Sequence, residues 1–530
     1  MNAASNIPTS SAIPVAVTES GDFAEFRHRV GKISRHSLVY FAGMIFTAGA
    51  GYAFKIYIAR ALGAEALGLY ALGMSLVGFL GIFNAIGLPT SASRFVAEYS
   101  SQHEHLKLGN FLRGSISLLA AGNLVLGAAF VFALPWVAVH FYHAPALASY
   151  AGTFALLMLI GVLNTFFSQC MAGFREIARR TVITHFVATS ATIILAVLLI
   201  ELGFGLRGYL MAQVGSSILV LVLLALSIRK LTPQAAFSTP GFGRLDRKVA
   251  SFSAVTFAIG LVHFALGQSD KIILGYYLRP RDVGVYTVAV TVAAFVPIAL
   301  QSANQIFSPM IAELHSAETV TLLRRLYVFI TKWATAITLP LAFSVIIFSR
   351  ALMSFFGPAF EAGAVVLSIV AVAEIVNCGV GSVGFLLLMS GHQAQLMKIE
   401  TTSAVLMVSL SLLLIPRYGI SGAGIALATS IIATNAWSLV EVRRKLALSP
   451  YNRSYLKLVP PAVAAIAVLL VYQRAFAAFP NSWKVAAVAS ACAYAVFFAV
   501  LVSSGLQPED RMLATLAWNR LRNRLVRNGA

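Results

Sequence analysis

The chain has 530 residues, of which 59% are apolar and 11% are charged, and its formal net charge is +20. A soluble domain carries roughly a quarter charged residues, so the surplus apolar surface requires lipid as its solvent. The basic residues lie between apolar runs and not on one polar domain, which excludes nucleic acid as the partner that explains the charge.

The segment 1–36 is polar and precedes an apolar run too long for a signal-peptide core, so we interpret it as a retained cytoplasmic tail. After it, apolar runs of about 20 residues recur, each long enough to cross a hydrocarbon core of about 30 Å. Backbone in lipid must satisfy its own hydrogen bonds, and the ten-residue alternation of a barrel is absent from the sequence. The sequence therefore predicts an all-α polytopic membrane protein of about fourteen helices, near 37–59, 68–88, 114–138, 148–171, 181–202, 207–228, 250–273, 283–304, 326–348, 364–389, 399–415, 420–441, 457–474 and 484–505.

The orientation follows from the basic residues, which concentrate in alternate connecting segments. With the amino-terminal tail in the cytoplasm, most of the 39 lysines and arginines fall on the cytoplasmic side. Both termini are therefore predicted to be cytoplasmic. The basic tail 506–530 fits either an interfacial helix on the inner leaflet or a solvated segment.

An internal repeat divides the chain. KIYIARALGAEALGLY from Lys55 recurs as KIILGYYLRPRDVGVY from Lys271, at an offset of 216 residues. SRFVAEY from Ser93 matches SPMIAEL from Ser308 at an offset of 215, and the glycine pair that begins at Gly205 recurs at an offset of 214. Because six spans return the chain to its starting side, the two copies share one orientation, and a pseudo-two-fold axis along the membrane normal relates them.

These matches predict two pseudo-symmetric six-helix lobes around a central cavity, with two further helices after them. The predicted boundaries are an N-lobe at 37–228 with helices 1–6, a cytoplasmic linker at 229–249, a C-lobe at 250–442 with helices 7–12, and helices 13–14 at 456–505.

Four segments carry a resemblance to a known family. They are ARALGAEALGLYALGMSLVGFLGIFNAIGLPTSASRFVAEY (59–99), QSDKIILGYYLRPRDVGVY (268–286), FFGPAFEAGAVVL (355–367) and LLLIPRYGISGAGIALATS (412–430). In this order and spacing they resemble bacterial polysaccharide-biosynthesis membrane proteins. These are the lipid-linked oligosaccharide flippases of the polysaccharide transport family, within the multidrug/oligosaccharidyl-lipid/polysaccharide exporter superfamily.

The resemblance implies a V-shaped pair of lobes in a bacterial inner membrane, open alternately to either side. The implied substrate is an undecaprenyl-diphosphate-linked sugar unit for O-antigen, capsule or exopolysaccharide. A polysaccharide polymerase and other assembly proteins are the expected partners besides membrane lipid. We expect no cofactor and no nucleic acid, but expect coupling to H⁺ or Na⁺.

Lys55 and Lys271 occupy equivalent places in the two copies, near the outer ends of helices 1 and 7. Both could extend toward the interface and place their ammonium groups there, which is the simpler reading. Their pairing favours a second reading, in which both line the cavity and neutralise a diphosphate. Arg60, one residue past helix 1, could add a bidentate contact or be an ordinary loop-end charge.

Three polar residues accompany the lysines as candidates. Asp270 is predicted to pair with Lys271 and lower the cost of its charge, and we group it with the substrate-binding residues. Glu374 falls about ten residues into helix 10, with Asn377 at i+3 on the same face. A carboxylate there should face the bundle interior, where it either couples transport to an ion or is a satisfied structural group.

The intramembrane histidines His185 and His263 could relay protons, but a lone histidine in a bundle is more often a hydrogen-bonded packing residue. The cysteines Cys170, Cys378 and Cys492 lack metal-ligand spacing and are interpreted as small buried side chains.

Three rival functions remain. A membrane enzyme would need an exposed catalytic constellation, and the sequence offers no nucleophile and base pair or acidic metal-binding pair in its short outer loops, so we predict that the protein is not an enzyme. A cation-coupled multidrug extruder should have an acidic, aromatic pocket and usually twelve spans. A lipid II-type flippase for peptidoglycan is the nearest alternative.

Overall fold

The structure, a computed structural model, describes residues 19–233, 243, 245–316, 320–452, 455–476 and 482–503. Over these residues the chain forms helices joined by short turns and contains no β-strand, which confirms the predicted all-α polytopic fold. The predicted tail 506–530 lies outside the described residues, as do parts of the amino-terminal tail and of the linker.

The helices of the N-lobe run from the first described residue to the linker. They are α1 (Glu19–Ala85), α2 (Leu88–Ser101), α3 (His105–Trp136), α4 (Ala151–Gly173), α5 (Ile177–Thr181), α6 (Ala188–Leu199) and α7 (Gly205–Leu231). Short π-helical turns at Val182–Val187 and Ile200–Phe204 join α5, α6 and α7.

The C-lobe and the two appended helices follow the linker. They are α8 (Arg247–Tyr277), α9 (Pro280–Ala293), α10 (Ile298–Ser316), α11 (Val320–Ile347), α12 (Ser349–Ser354), α13 (Ala364–Val380), α14 (Val383–Met389), α15 (Gln393–Leu446), α16 (Val459–Ala475) and α17 (Trp483–Ser503).

By length and composition, ten helical segments of the described chain can cross a membrane. An eleventh is added if α9 and the start of α10, which are bent by 56° to each other, form one broken span. Three of the ten contain 44, 55 and 54 residues, whereas a single crossing needs about 20. The number of about fourteen spans stays a prediction.

The long helix α15 reverses direction at Gly419, where φ is 57°. Ser430 donates a hydrogen bond of 2.9 Å to the Ser403 carbonyl, although 27 residues of straight helix would separate these groups by about 40 Å. A positive φ is costly for residues with a Cβ, so glycine suits this turn. The equivalent reversal between α6 and α7 joins Thr192 to Ser216 by a hydrogen bond of 2.7 Å.

Two predicted helices are interrupted in the structure. The predicted helix 283–304 is broken between Ala293 and Ile298, where Pro297 supplies no N–H for the helical ladder. The predicted helix 364–389 ends at Val380 and resumes at Val383, after Gly381 adopts a φ of 78°. At the amino terminus α1 begins at Glu19, eighteen residues before the predicted start of helix 1.

The two lobes meet in a contact that is itself pseudo-symmetric. A Cβ added to Gly68 would lie 1.6 Å from the Pro280 carbonyl oxygen, and one added to Gly284 would lie 2.0 Å from the Ala64 carbonyl oxygen. Gly68 and Gly284 are 216 residues apart, as are Ala64 and Pro280. Each glycine therefore accepts the backbone of the opposite lobe, and we call this the closed end of the molecule.

The apolar cores show how the lobes separate away from that end. One large core at the closed end contains residues of both lobes, for example Leu72 and Phe154 with Tyr286 and Phe360. At the opposite end, which we call the basic end, a core around Phe111 belongs mainly to the N-lobe and another around Tyr327 to the C-lobe.

One seam stays in contact down to the basic end. There α8 packs against α2, and the hydroxyls of Ser91 and Ser253 are 2.7 Å apart. The Phe95 and Phe252 rings meet edge to face beside them. The appended helices α16 and α17 form a separate core with α11 and α12, around Leu469 and Phe497.

Candidate functional site

The structure brings Lys55 and Lys271 together near the closed end. Lys55 lies exposed on α1, and Lys271 lies half-buried on α8. The two ammonium groups are close enough for their charges to repel each other. Two like charges held at a lobe interface create a positive potential that a polyanion would relieve.

The predicted pairing of Asp270 with the Lys271 ammonium is wrong. Lys271 Nζ donates instead to Gln268 Oε1, 2.7 Å away, and at 3.4 Å to the Gly267 carbonyl. Asp270 is buried, and its two oxygens accept from the Lys271 backbone N–H at 2.8 Å and from the Tyr286 hydroxyl at 2.6 Å. Its burial leaves no surface for a substrate, and the carboxylate joins α8 to α9.

Arg60 bridges the lobes. Its Nε donates to the Phe355 carbonyl at 2.8 Å, and its guanidinium carbon lies 4.8 Å from the centre of the Phe355 ring. Neither a bidentate phosphate contact nor a free loop-end charge describes this geometry. Arg60 instead fastens the end of the first half of α1 to the C-lobe.

Glu374 and Asn377 share one face of α13, as the i+3 spacing predicts. Asn377 Nδ2 donates to Glu374 Oε2 at 2.7 Å, and both side chains are half-buried. An amide donor stabilises the ionised carboxylate, and the carboxylate's other oxygen retains the capacity to accept a proton or a cation.

The depth of Glu374 follows from the neighbours of α13. Near its start, a Cβ on Gly363 would lie 3.0 Å from Val285 of α9, and further along Cys378 shares a small core with Leu300 of α10. Glu374 lies one turn before Cys378 and is therefore level with the break between α9 and α10. Broken helices at mid-membrane commonly mark substrate or ion sites in transporters.

A second carboxylate in the C-lobe escaped the sequence reasoning. Glu400 Oε2 of α15 lies 3.4 Å from His263 Nε2 of α8. The equivalent N-lobe positions hold Thr47 and His185, whose Oγ1 and Nδ1 are 3.1 Å apart. Offsets of 216 and 215 relate the two pairs, so aligning the repeats would have paired His263 with Glu400.

The described residues contain no group of three or more His, Cys, Asp or Glu side chains that could hold a metal ion. The three cysteines are free thiols; Cys170 and Cys378 are buried and Cys492 is half-buried. The chemistry available at the lobe interface is therefore electrostatic: amines near the closed end, and carboxylates in the C-lobe.

The comparisons with known sequences agree with the site's position in the membrane. The polysaccharide biosynthesis protein family matches residues 33–315, which is more than half of the chain. The chain belongs to this family. No curated protein sequence matches it significantly.

Solved transporters share the fold of this family member. The lipid II flippase MurJ in an inward closed conformation matches with a TM-score of 0.69 at 13% identity, over 87% of this chain and 98% of that chain. An inward-facing multidrug resistance MATE family transporter of the MOP superfamily matches with 0.62 at 15% identity, over 77% and 98%. An outward-facing one matches with 0.55 at 17% identity, over 78% and 95%.

Proposed function

We propose that the protein is a flippase that moves a polyprenyl-diphosphate-linked oligosaccharide from the inner to the outer leaflet of a bacterial inner membrane, for surface polysaccharide biosynthesis. The observation that carries the proposal is the pair Lys55 and Lys271, at equivalent positions of two lobes in a polysaccharide biosynthesis protein. A diphosphate fits two mutually repelling ammonium groups because it neutralises both.

Alternating access is the mechanism that this lobe arrangement favours. The lobes share one core at the closed end and have largely separate cores at the basic end, as expected for a transporter that loads from the basic end. The higher TM-score with the inward-facing than with the outward-facing MATE structure supports this state. Opening the closed end requires the Gly68 and Gly284 contacts to part.

We place the basic end in the cytoplasm, together with both termini, because lysines and arginines concentrate there. Reporter fusions at residues 240 and 448 should then read cytoplasmic, and fusions at 143 and 478 should read periplasmic. A cytoplasmic signal at 143 would reverse the assigned direction of transport.

Coupling is assigned to Glu374. A carboxylate level with a broken span can exchange H⁺ or bind Na⁺ as the lobes move, because either ligand removes its charge from a poorly solvated site. The protein then needs no other cofactor, and its activity is transport without covalent chemistry.

The likeness to MurJ supports lipid II as a second candidate substrate, and the likeness to MATE transporters supports an organic cation as a weaker third. The test presents all three to vesicles that contain the purified protein. We expect flipping of the polyprenyl-diphosphate oligosaccharide and little movement of the cation. Flipping of lipid II alone, with lethal loss of the gene, would assign the protein to peptidoglycan; a polysaccharide polymerase is the expected downstream partner.

A further inference from the structure

A groove at the basic end of the N-lobe is not used by the proposed transport path. It lies between α3, α4 and α7 and encloses about 590 Å³. We call it the Arg113 groove, and its lining residues are Leu112, Arg113, Ile116, Phe167, Ala225, Ile228, Arg229 and Thr232.

The groove combines an apolar floor with a basic rim. Ile116, Phe167 and Ile228 supply the floor, while Arg113 and Arg229 supply two guanidinium groups. Among the described residues that line it, none carries a carboxylate. Arg113 is held at the rim by 3.3 Å hydrogen bonds to the Gly109 carbonyl and to Asn110 Oδ1.

The C-lobe shows what such a groove contains when it is filled. At an offset of 214 residues Ile228 corresponds to Val442, and in the C-lobe Val442 packs in one core with the fully buried Leu448. At the same offset Arg229 corresponds to Arg443, whose guanidinium carbon lies 5.4 Å from the centre of the Tyr451 ring.

The segment after α15 thus fills the C-lobe position with an apolar side chain and an arginine-covered ring. In the N-lobe the matching position is a cavity. An apolar cavity that opens toward hydrocarbon is favourably filled by an acyl chain. Two arginines at its rim, at the depth of the phosphate groups of one leaflet, complement an anionic lipid headgroup.

We propose that the Arg113 groove binds one anionic phospholipid of the leaflet at the basic end. The phosphate lies between Arg113 and Arg229, and one acyl chain lies along Ile116 and Phe167. The lipid would support α7 where the linker leaves the N-lobe at Thr232. Naming the cytoplasmic leaflet rests on the proposed orientation, whereas the site itself depends on neither the direction nor the substrate of transport.

The test measures lipid binding to the full-length, delipidated protein by native mass spectrometry. Phosphatidylglycerol is the anionic probe and phosphatidylcholine the neutral one. Arg113→Gln/Arg229→Gln should weaken phosphatidylglycerol binding about tenfold, because two headgroup contacts are lost, and should leave phosphatidylcholine binding unchanged. Ala225→Phe, which fills the groove without changing charge, should also reduce binding.

The matched control is Arg179→Gln/Lys230→Gln, which removes the same charge from exposed side chains at the same end of the same lobe. It should bind phosphatidylglycerol as the wild type does. Equal loss in the control, or full binding by the groove variants, would overturn the site. Displacement of phosphatidylglycerol by undecaprenyl diphosphate would assign the groove to the substrate and also overturn the proposal. Flipping through Lys55 and Lys271 is measured separately, so failure here leaves the proposed function untouched.

Discussion

The two lobes share one fold but differ in the groups that join their helices inside the membrane. Tyr70 in the N-lobe accepts a hydrogen bond from Gln213 Nε2 at 2.8 Å, whereas its counterpart Tyr286 donates to the carboxylate of Asp270. The neutral pair Thr47 and His185 likewise corresponds to His263 and Glu400.

At both pairs of equivalent positions the C-lobe has a carboxylate where the N-lobe has a neutral group. The duplication therefore conserved the packing and changed the charge. An intramembrane carboxylate is costly unless function or a partner retains it, so the comparison places ion chemistry in the C-lobe. The N-lobe contributes Lys55 and the interface that closes on its twin.

The largest expected effect comes from the contact that the lobes share equally. Gly68→Ala and Gly284→Ala each force a Cβ onto the backbone of the opposite lobe, and each should lower the free energy of unfolding by about 1–3 kcal/mol. Thermal unfolding of the purified variants measures this. Gly267→Ala is the control because no atom lies within 4 Å of its added Cβ. A large effect at one glycine and none at the other would break the pseudo-symmetry of the contact.

The second prediction concerns Glu374. Glu374→Gln keeps the shape of the side chain and a group that can interact with Asn377, but fixes it in a neutral form. If the carboxylate couples transport, the variant should insert and bind substrate normally but lose its response to an imposed H⁺ or Na⁺ gradient. The measurement compares wild type, Glu374→Gln and Glu374→Ala in reconstituted vesicles. An equal gradient response in wild type and Glu374→Gln would leave Glu374 a packing residue.

A smaller effect should separate the equivalent pairs. Glu400→Gln removes the charge that faces His263, so it should slow transport several-fold. His185→Gln exchanges one neutral hydrogen-bonding group for another, at about 0.5–1.5 kcal/mol of stability, and should leave the rate near that of wild type. Initial flipping rates at matched protein abundance test this difference. Equal slowing by both variants would remove the functional distinction between the lobes.

The sequence predicted the all-α membrane fold and the duplication because both are written in local composition and in residues such as Lys55 and Lys271. The broken helices were missed, since Pro297 and Gly381 lie within apolar runs and membrane helices tolerate both residues. The pairing of His263 with Glu400 was missed because it depends on which distant helices pack together. For the same reason Asp270 was assigned the wrong partner, although Tyr286 lies four turns along the sequence.

The central claim is that two lysines from equivalent places in the lobes hold a diphosphate during its passage across the membrane. The direct measurement is the flipping rate of a synthetic polyprenyl-diphosphate oligosaccharide by vesicles with wild type, Lys55→Ala/Lys271→Ala or Lys55→Arg/Lys271→Arg.

The account predicts that the alanine double variant folds, inserts and flips at least about tenfold more slowly, and that the arginine variant retains part of the rate because both charges remain. Lys230→Gln, an exposed lysine remote from the lobe interface, should flip at the wild-type rate. Wild-type flipping by the alanine double variant would contradict the claim.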